Sequence, residues 1–166
     1  MFYLDSDKRV IGVLNDYDLS SLKHAPTGRE RTGTVPFMAM ELLTTKALTG
    51  KVEHLYRHDA ESFIWVLTFA SLRYEDGKPL NESRLLDNWL TVDAIGCYKE
   101  KNTFLSLERR DDDLQVSPSH QTNWNIARSC FHHVASITLA YPRPVLDDDV
   151  VFRDWLEAQV PPSVRE

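Results

Sequence analysis

The chain has 166 residues, of which 42% are apolar and 27% charged, so it is long enough for one globular domain with a real core. Its net charge is −6 and it has no long basic run, which argues against nucleic acid as a partner. The longest apolar run, Phe63 to Leu67, is far shorter than the ~20 residues of a membrane span, so no membrane is expected as a partner either.

A short β-hairpin is predicted for residues 1–15. Phe2 to Leu4 and Val10 to Leu14 are apolar segments, and the residues between them are polar and favour a turn. An isolated hairpin is only marginally stable in water, so we expect another part of the protein to cover it.

A long loop follows the hairpin, from Leu19 to Pro36. It has no steady period, contains two prolines and two glycines, and carries charged residues in its middle. Loops of this length are usually functional or disordered. A short helix is predicted to begin at Phe37 and to end at Leu43, before a pair of threonines.

The strongest core prediction is a helix that begins near His58, with Asp59 as its N-cap. From Phe63 to Leu72 nearly every residue is apolar. A helix without a polar face is normally buried on all sides, so we expect this helix to lie at the centre of the protein.

The rest of the chain is predicted to be mainly helical. Trp89 and Leu90 are expected to point inward from a second helix, and the predicted linker spans 107–120. The apolar residues at Ile126 and Cys130 belong to a pattern with a period close to 3.6. The predicted helices after the central one span residues 85–92, 93 to about 102, 123–139 and 150–160.

Three motifs follow one another along the first half of the chain: Gly12–Leu19, Gly33–Leu43 and His58–Phe63. Their order and spacing resemble the fungal-type protein kinases, from the metal-binding loop onwards. Beyond Leu72 the similarity is faint. The resemblance implies a mainly α fold: a protein-kinase-like C-lobe with a short N-terminal β-hairpin and no N-lobe. The implied partial kinase domain covers 1–160, with hairpin 1–15, activation segment 16–43, helical C-lobe 59–160 and tail 161–166.

The metal ligand implied by the resemblance is Asp16. It lies two residues after the apolar segment Val10 to Leu14, and it matches the aspartate that holds Mg²⁺ against the phosphates of ATP. Magnesium prefers oxygen ligands, so a carboxylate at a strand end suits this role. Tyr17 and Asp18 stand where most kinases have Phe and Gly, and Asp in the last position is typical of the fungal-type branch.

Four further residues take implied roles. Thr34 matches the threonine of the substrate-docking loop, and Asp59 matches the aspartate that anchors the catalytic loop. Glu41 matches a glutamate that forms a buried ion pair with a late arginine, for which Arg143 is the candidate; Met40 replaces the usual proline. Breaking such a pair typically costs about 3–5 kcal/mol, so the role of Glu41 would be structural.

The 166 residues contain no Gly-rich loop, no Val-Ala-Ile-Lys lysine and no His-Arg-Asp loop. We therefore expect the parent activity, ATP-dependent phosphorylation of Ser or Thr in protein substrates, to be absent from this polypeptide alone. Without a catalytic-loop partner, the central helix is expected to expose apolar surface that favours aggregation or a binding partner.

Two other functions remain open. A degenerate kinase lobe could act as a protein-binding or scaffold module. A metal-dependent phosphohydrolase would use the His58-Asp59 pair with His54 and the adjacent pair His132 and His133. A Ser-His-Asp hydrolase is less supported, because the chain has no Gly-x-Ser-x-Gly motif.

The two cysteines predict an intracellular protein, cytoplasmic or nuclear. Cys97 and Cys130 are too few for a disulfide framework and are expected to be reduced thiols. The N-terminus shows no basic segment followed by an apolar one, so no secretory signal is predicted.

Overall fold

A computed structural model describes residues 2–12, 33–80, 86–108, 114, 116–138, 147 and 150. The fold class is mainly α with a short β-hairpin, as predicted. The chain divides into two compact units, residues 1–32 and 33–166. This division lies inside the range 16–43 that was predicted to form one activation segment.

The first unit contains the predicted hairpin. Strand β1 (Phe2–Leu4) pairs antiparallel with strand β2 (Val10–Gly12), and Tyr3 lies opposite Ile11. The turn between them is held by one side chain, because a carboxylate oxygen of Asp5 accepts hydrogen bonds from two later backbone amides at 2.9 Å. An aspartate that bonds its own backbone in this way is a common turn former.

The second unit begins with two 3₁₀ helices, Val35–Phe37 and Met40–Leu43, in place of the single short helix predicted there. Helix α1 (Thr45–Leu48) follows, and the Thr44 side chain caps its first turn. Helix α2 (Tyr56–Arg73) is the predicted central helix.

Asp59 is not the N-cap of α2, and this prediction is wrong. The helix begins at Tyr56, one turn earlier than predicted, and Leu55 occupies the N-cap position. The free backbone amide of Leu55 donates a 3.0 Å hydrogen bond to Nδ1 of His58. His58, which was expected to flank the helix, therefore lies inside its first turn and is buried.

Helix α2 is buried on one side only, which corrects the expectation of burial on all sides. Ile64 and Trp65 are fully buried, whereas Phe63 is 54% and Val66 43% exposed. The helix packs against α4 (Gln121–Thr138) and against the 3₁₀ helix Val35–Phe37. The expectation failed because an all-apolar sequence does not record how many neighbours a helix meets.

A second hairpin follows α2 directly. Strands β3 (Tyr74–Glu75) and β4 (Lys78–Pro79) pair antiparallel, and the two residues between them have positive φ, 47° at Asp76 and 73° at Gly77. Positive φ at both central residues defines a type I′ turn, for which Asp-Gly is a preferred sequence.

Two long helices follow among the described residues, α3 (Ala94–Glu108) and α4. Both were predicted; α3 extends beyond Asn102, into the range predicted as a linker. The segment predicted as a helix over 85–92 forms a 3₁₀ helix at Asp87–Leu90, in which Trp89 is buried as expected but Leu90 is 53% exposed. A last 3₁₀ helix spans Pro118–His120. The helix predicted over 150–160 and the tail predicted at 161–166 lie outside the described residues, apart from position 150.

The core is built around aromatic side chains from α2, α3, α4 and the 3₁₀ helix at Asp87–Leu90. Trp65 meets Trp89 edge to face, with ring centroids 5.5 Å apart and planes at 82°. Such pairs contribute about 0.5–1.5 kcal/mol beyond area burial. The buried aromatic cluster comprises Trp65, Trp89, Phe104, Trp124 and Phe131.

The cysteines are free thiols within this core, and burial raises the pKa of both Cys97 and Cys130. In the described parts of the chain, none of the helices combines the length and apolar character that a membrane crossing requires.

Candidate functional site

The candidate site is the segment from Gly33 to Glu41, which we call the anchored loop. Gly33 has a φ of +138°, and a Cβ atom placed there would lie 3.3 Å from Cγ of Met38. The backbone angle therefore favours glycine, and a Cβ atom would in addition crowd the Met38 side chain. Thr34 is exposed, and its side chain does not cap the 3₁₀ helix that it precedes.

Two buried charged side chains hold the backbone of the anchored loop. A carboxylate oxygen of Glu61, on α2, accepts a 2.8 Å hydrogen bond from the amide of Met40. The Nζ atom of Lys101, on α3, donates a 2.6 Å hydrogen bond to the carbonyl of Met38. The two groups therefore fix the loop from two different helices, on either side of Ala39.

Lys101 lies in an environment that opposes its charge. It is fully buried, and burial lowers its pKa to about 8, although the nearby Cys97 and Glu61 act in the opposite direction. Its ammonium lies 4.5 Å from the ring centroid of Trp65 and 5.4 Å from that of Trp89. Cation–π attraction and the hydrogen bond to Met38 therefore compensate part of the lost hydration.

Glu61 is satisfied in the same region. The oxygen that accepts from Met40 also accepts a 2.9 Å hydrogen bond from Nε1 of Trp65. Glu61 is only 6% exposed, and a buried carboxylate without such donors would be strongly destabilising. Trp65 therefore contacts both buried charges, Glu61 through its ring nitrogen and Lys101 through its ring face.

Glu41 ends the anchored loop in a polar cluster at the start of α2. One of its oxygens lies 3.0 Å from Nη2 of Arg57 and 3.1 Å from Nε2 of His58. Nδ1 of His58 accepts a hydrogen bond from the Leu55 amide, so the proton of the neutral ring is on Nε2. This N–H group donates a hydrogen bond to Glu41. The hydrogen bond from His58, assisted by Arg57, lowers the pKa of Glu41 to about 2 despite partial burial.

Asp59 lies on the exposed side of the first turn of α2. Its carboxylate lies 3.1 Å from Nε2 of His54, and both side chains are well exposed. The hydrogen bond to Asp59 raises the pKa of His54 above its usual value. Exposed pairs of this kind contribute about 0–1 kcal/mol.

Residues 2–71 match the family model for fungal protein kinase. The matched range is less than half of the chain and includes the anchored loop and nearly all of α2. It supports a relationship to the fungal protein kinases and a kinase-related function. No curated protein and no solved structure matches the chain.

The structure describes three of the five residues that the kinase resemblance assigns to the site. Thr34, Glu41 and Asp59 all lie within the family match, at the anchored loop or at the start of α2. The predicted metal ligand Asp16 and the predicted ion-pair partner Arg143 lie outside the described residues. The side chain of Glu41 contacts two residues of α2, Arg57 and His58.

The sequence analysis missed Glu61 and Lys101. A signal was present in both helices, because each residue lies on the buried face at helical spacing. Lys101 falls between Cys97 and Leu105, and Glu61 falls four residues before Trp65. A charged residue on an otherwise apolar helix face predicts a buried polar contact.

Of the residues considered for a phosphohydrolase, His54 pairs with Asp59 and His58 contacts Glu41, and the two histidine rings lie 5.7 Å apart. His132 and His133 are exposed on α4. Across the described ranges, no three His, Cys, Asp or Glu side chains are grouped so as to hold a metal ion.

Proposed function

We propose that this chain is the substrate-docking and helical part of a fungal-type protein kinase, whose parent activity is ATP-dependent phosphorylation of Ser or Thr in proteins. The observation that carries the proposal is that the residues matching the fungal protein kinase model include the whole anchored loop. The loop is mostly buried and exposes Gly33 and Thr34 at its start. Two buried charges and the polar cluster around Glu41 hold it, which gives its exposed end a fixed position, as a site for positioning a peptide hydroxyl requires.

In this proposal Thr34, Glu41 and Asp16 have distinct physical roles. Thr34 presents its hydroxyl and backbone at the exposed end of the anchored loop, next to the substrate. Glu41 joins the other end of the loop to the start of α2 through Arg57 and His58. Asp16 supplies a carboxylate, the type of ligand that Mg²⁺ prefers, and the ion with ATP would supply the phosphoryl group and neutralise its charge.

The 166-residue chain is proposed to be inactive by itself. Its sequence contains no Gly-rich loop, nucleotide-binding lysine or His-Arg-Asp base. Incubation of the purified chain with Mg²⁺, radiolabelled ATP and a mixed protein substrate should give no label above a blank. Label incorporated by this chain alone would overturn the inactivity.

The parent activity is tested on the product of the longest reading frame that contains these codons. We expect that frame to encode a Gly-rich loop and a His-Arg-Asp loop, and its product to label Ser or Thr. Asp16→Ala should lower the rate by at least about 100-fold, because it removes a metal ligand, whereas the matched variant Asp7→Ala should retain it. A frame without those motifs, or full activity in Asp16→Ala, would contradict the kinase function.

A second candidate function is supported by the exposed apolar residues of α2. Tyr56, Phe63 and Val66 are 50%, 54% and 43% exposed and lie near one side of the helix. Apolar surface of this kind suits a protein-binding or scaffold module. This alternative would replace the kinase function if the reading frame encodes no catalytic loop.

A further inference from the structure

We infer that Glu61 and Lys101 are positioning residues for peptide substrates, acting through the backbone of the anchored loop. The inference rests on the proposed kinase function and deepens it by naming residues that set substrate affinity. Neither residue reaches the surface, since Glu61 is 6% and Lys101 0% exposed. Their effect on a bound peptide must therefore pass through Met38 and Met40, whose backbone groups they contact.

The local backbone explains why such contacts are needed. Met40 is the first residue of a 3₁₀ helix, so its amide has no partner inside that helix. Met38 directly follows the preceding 3₁₀ helix, and both methionines are buried, which removes their backbone groups from water. Glu61 and Lys101 satisfy one group on each side of the break between the two helices.

The use of charged groups for this purpose is informative. A neutral side chain could satisfy an amide or a carbonyl, whereas burying a carboxylate and an ammonium is costly. Hydrogen bonds to charged groups are also shorter and stronger than neutral ones. The pair therefore restricts the break at Ala39 to one conformation, and this fixes the path of the loop towards Thr34.

The loop has a third contact, which also comes from α3. The Sγ atom of Cys97 lies 3.8 Å from the carbonyl oxygen of Val35, one helical turn before Lys101. Helix α3 therefore presents two donors to successive parts of the loop, and α2 presents one acceptor. The loop is held from two helices that are themselves joined through the aromatic cluster.

The test uses the complete 166-residue chain in five forms: wild type, Lys101→Met, Glu61→Leu, Glu61→Gln and the control Lys99→Met. Glu61→Gln keeps an oxygen acceptor for Met40 and Trp65 but removes the charge, so it should recover part of what Glu61→Leu loses. Lys99 is exposed on the same helix as Lys101. Each form is examined by amide hydrogen exchange and by capture on an array of degenerate Ser- and Thr-containing peptides.

In Lys101→Met and Glu61→Leu, exchange over residues 33–44 should become at least about tenfold faster, while exchange in α4 stays slow and shows that the chain is folded. Peptide capture should fall by a similar factor in these two variants. Lys99→Met should behave like the wild type in both measurements, and Glu61→Gln should lie between wild type and Glu61→Leu, because it keeps the acceptor but not the charge.

The outcomes separate the inference from the function on which it rests. If wild type captures peptides and the two variants capture them equally well, Glu61 and Lys101 only support the fold, and the inference is wrong. Unchanged exchange over residues 33–44 in both variants would overturn it as well. If wild type captures no peptide, the docking function itself fails, and the inference fails with it.

Discussion

The ammonium nitrogen of Lys101 lies 2.6 Å from the carbonyl oxygen of Met38, a residue 63 positions earlier in the chain, and the contact is buried. It connects α3 to the anchored loop, the segment that carries the candidate docking residue Thr34. Its energetic balance is unusual, because a buried cation is stabilised there by one carbonyl and two indole faces.

Lys101→Met removes a buried charge but leaves the buried carbonyl of Met38 without its donor, so its stability relative to wild type should depend on pH. The pKa of Lys101 is lowered from 10.5 to about 8, so between these values the unfolded wild type binds more protons than the folded one. Wild-type stability therefore rises with pH across this window.

The free energy of unfolding of Lys101→Met, relative to that of wild type, should accordingly fall by about 3 kcal/mol between about pH 8 and pH 10.5. Urea unfolding at several pH values in this range measures the difference, and Lys99→Met serves as the exposed control. A stability difference between the two proteins that does not change with pH would show that Lys101 is not buried in the folded state.

Glu41→Gln should destabilise the chain at neutral pH and lose this effect in acid. His58 and Arg57 lower the pKa of Glu41 from 4.5 to about 2, so the folded carboxylate stays ionised where the unfolded one is protonated. Its contribution is complete above about pH 4.5 and is lost as the pH falls towards about 2. Unfolding by urea across this window, with the exposed Glu53→Gln as control, measures the loss; a difference independent of pH would contradict it.

Asp59→Asn should lower the pKa of His54, because the hydrogen bond to the Asp59 carboxylate raises it above 6.5. The pair stabilises the fold fully below about pH 6.5, and the contribution disappears as the pH rises through the folded pKa. Titration of the His54 ring by NMR measures the change directly. Asp93→Asn, which alters an exposed carboxylate at the start of α3, should leave the His54 curve unchanged, and an unchanged curve in Asp59→Asn would refute the pairing.

The exposed apolar residues of α2 should cause self-association of the isolated chain. Phe63→Glu and Val66→Glu should each shift the equilibrium towards monomer, since they place a charge on the apolar surface. Leu48→Glu is the matched control, because Leu48 is 49% exposed on α1. Sedimentation at several protein concentrations measures the effect; a wild-type chain that is monomeric with a sharp cooperative thermal transition would rule out this prediction.

Local pattern predicted the elements of this fold well. The first hairpin, the central helix and the two later helices each follow from apolar periodicity or β-branched content within a few residues. The helix start at Asp59 was predicted too late because an aspartate is a common N-cap, and here His58 binds the free amide of Leu55 instead. The turn at Asp76-Gly77 was available from the sequence and was overlooked.

The sequence by itself determined the helical class, the three kinase-like motifs and the identity of Thr34, Glu41 and Asp59 as candidates. Only the tertiary structure revealed Glu61 and Lys101, whose backbone partners lie 21 and 63 residues away along the chain. It also decided which side of α2 is exposed. The reason is physical: periodicity is a local property, whereas burial of a charge depends on which distant backbone group is brought beside it.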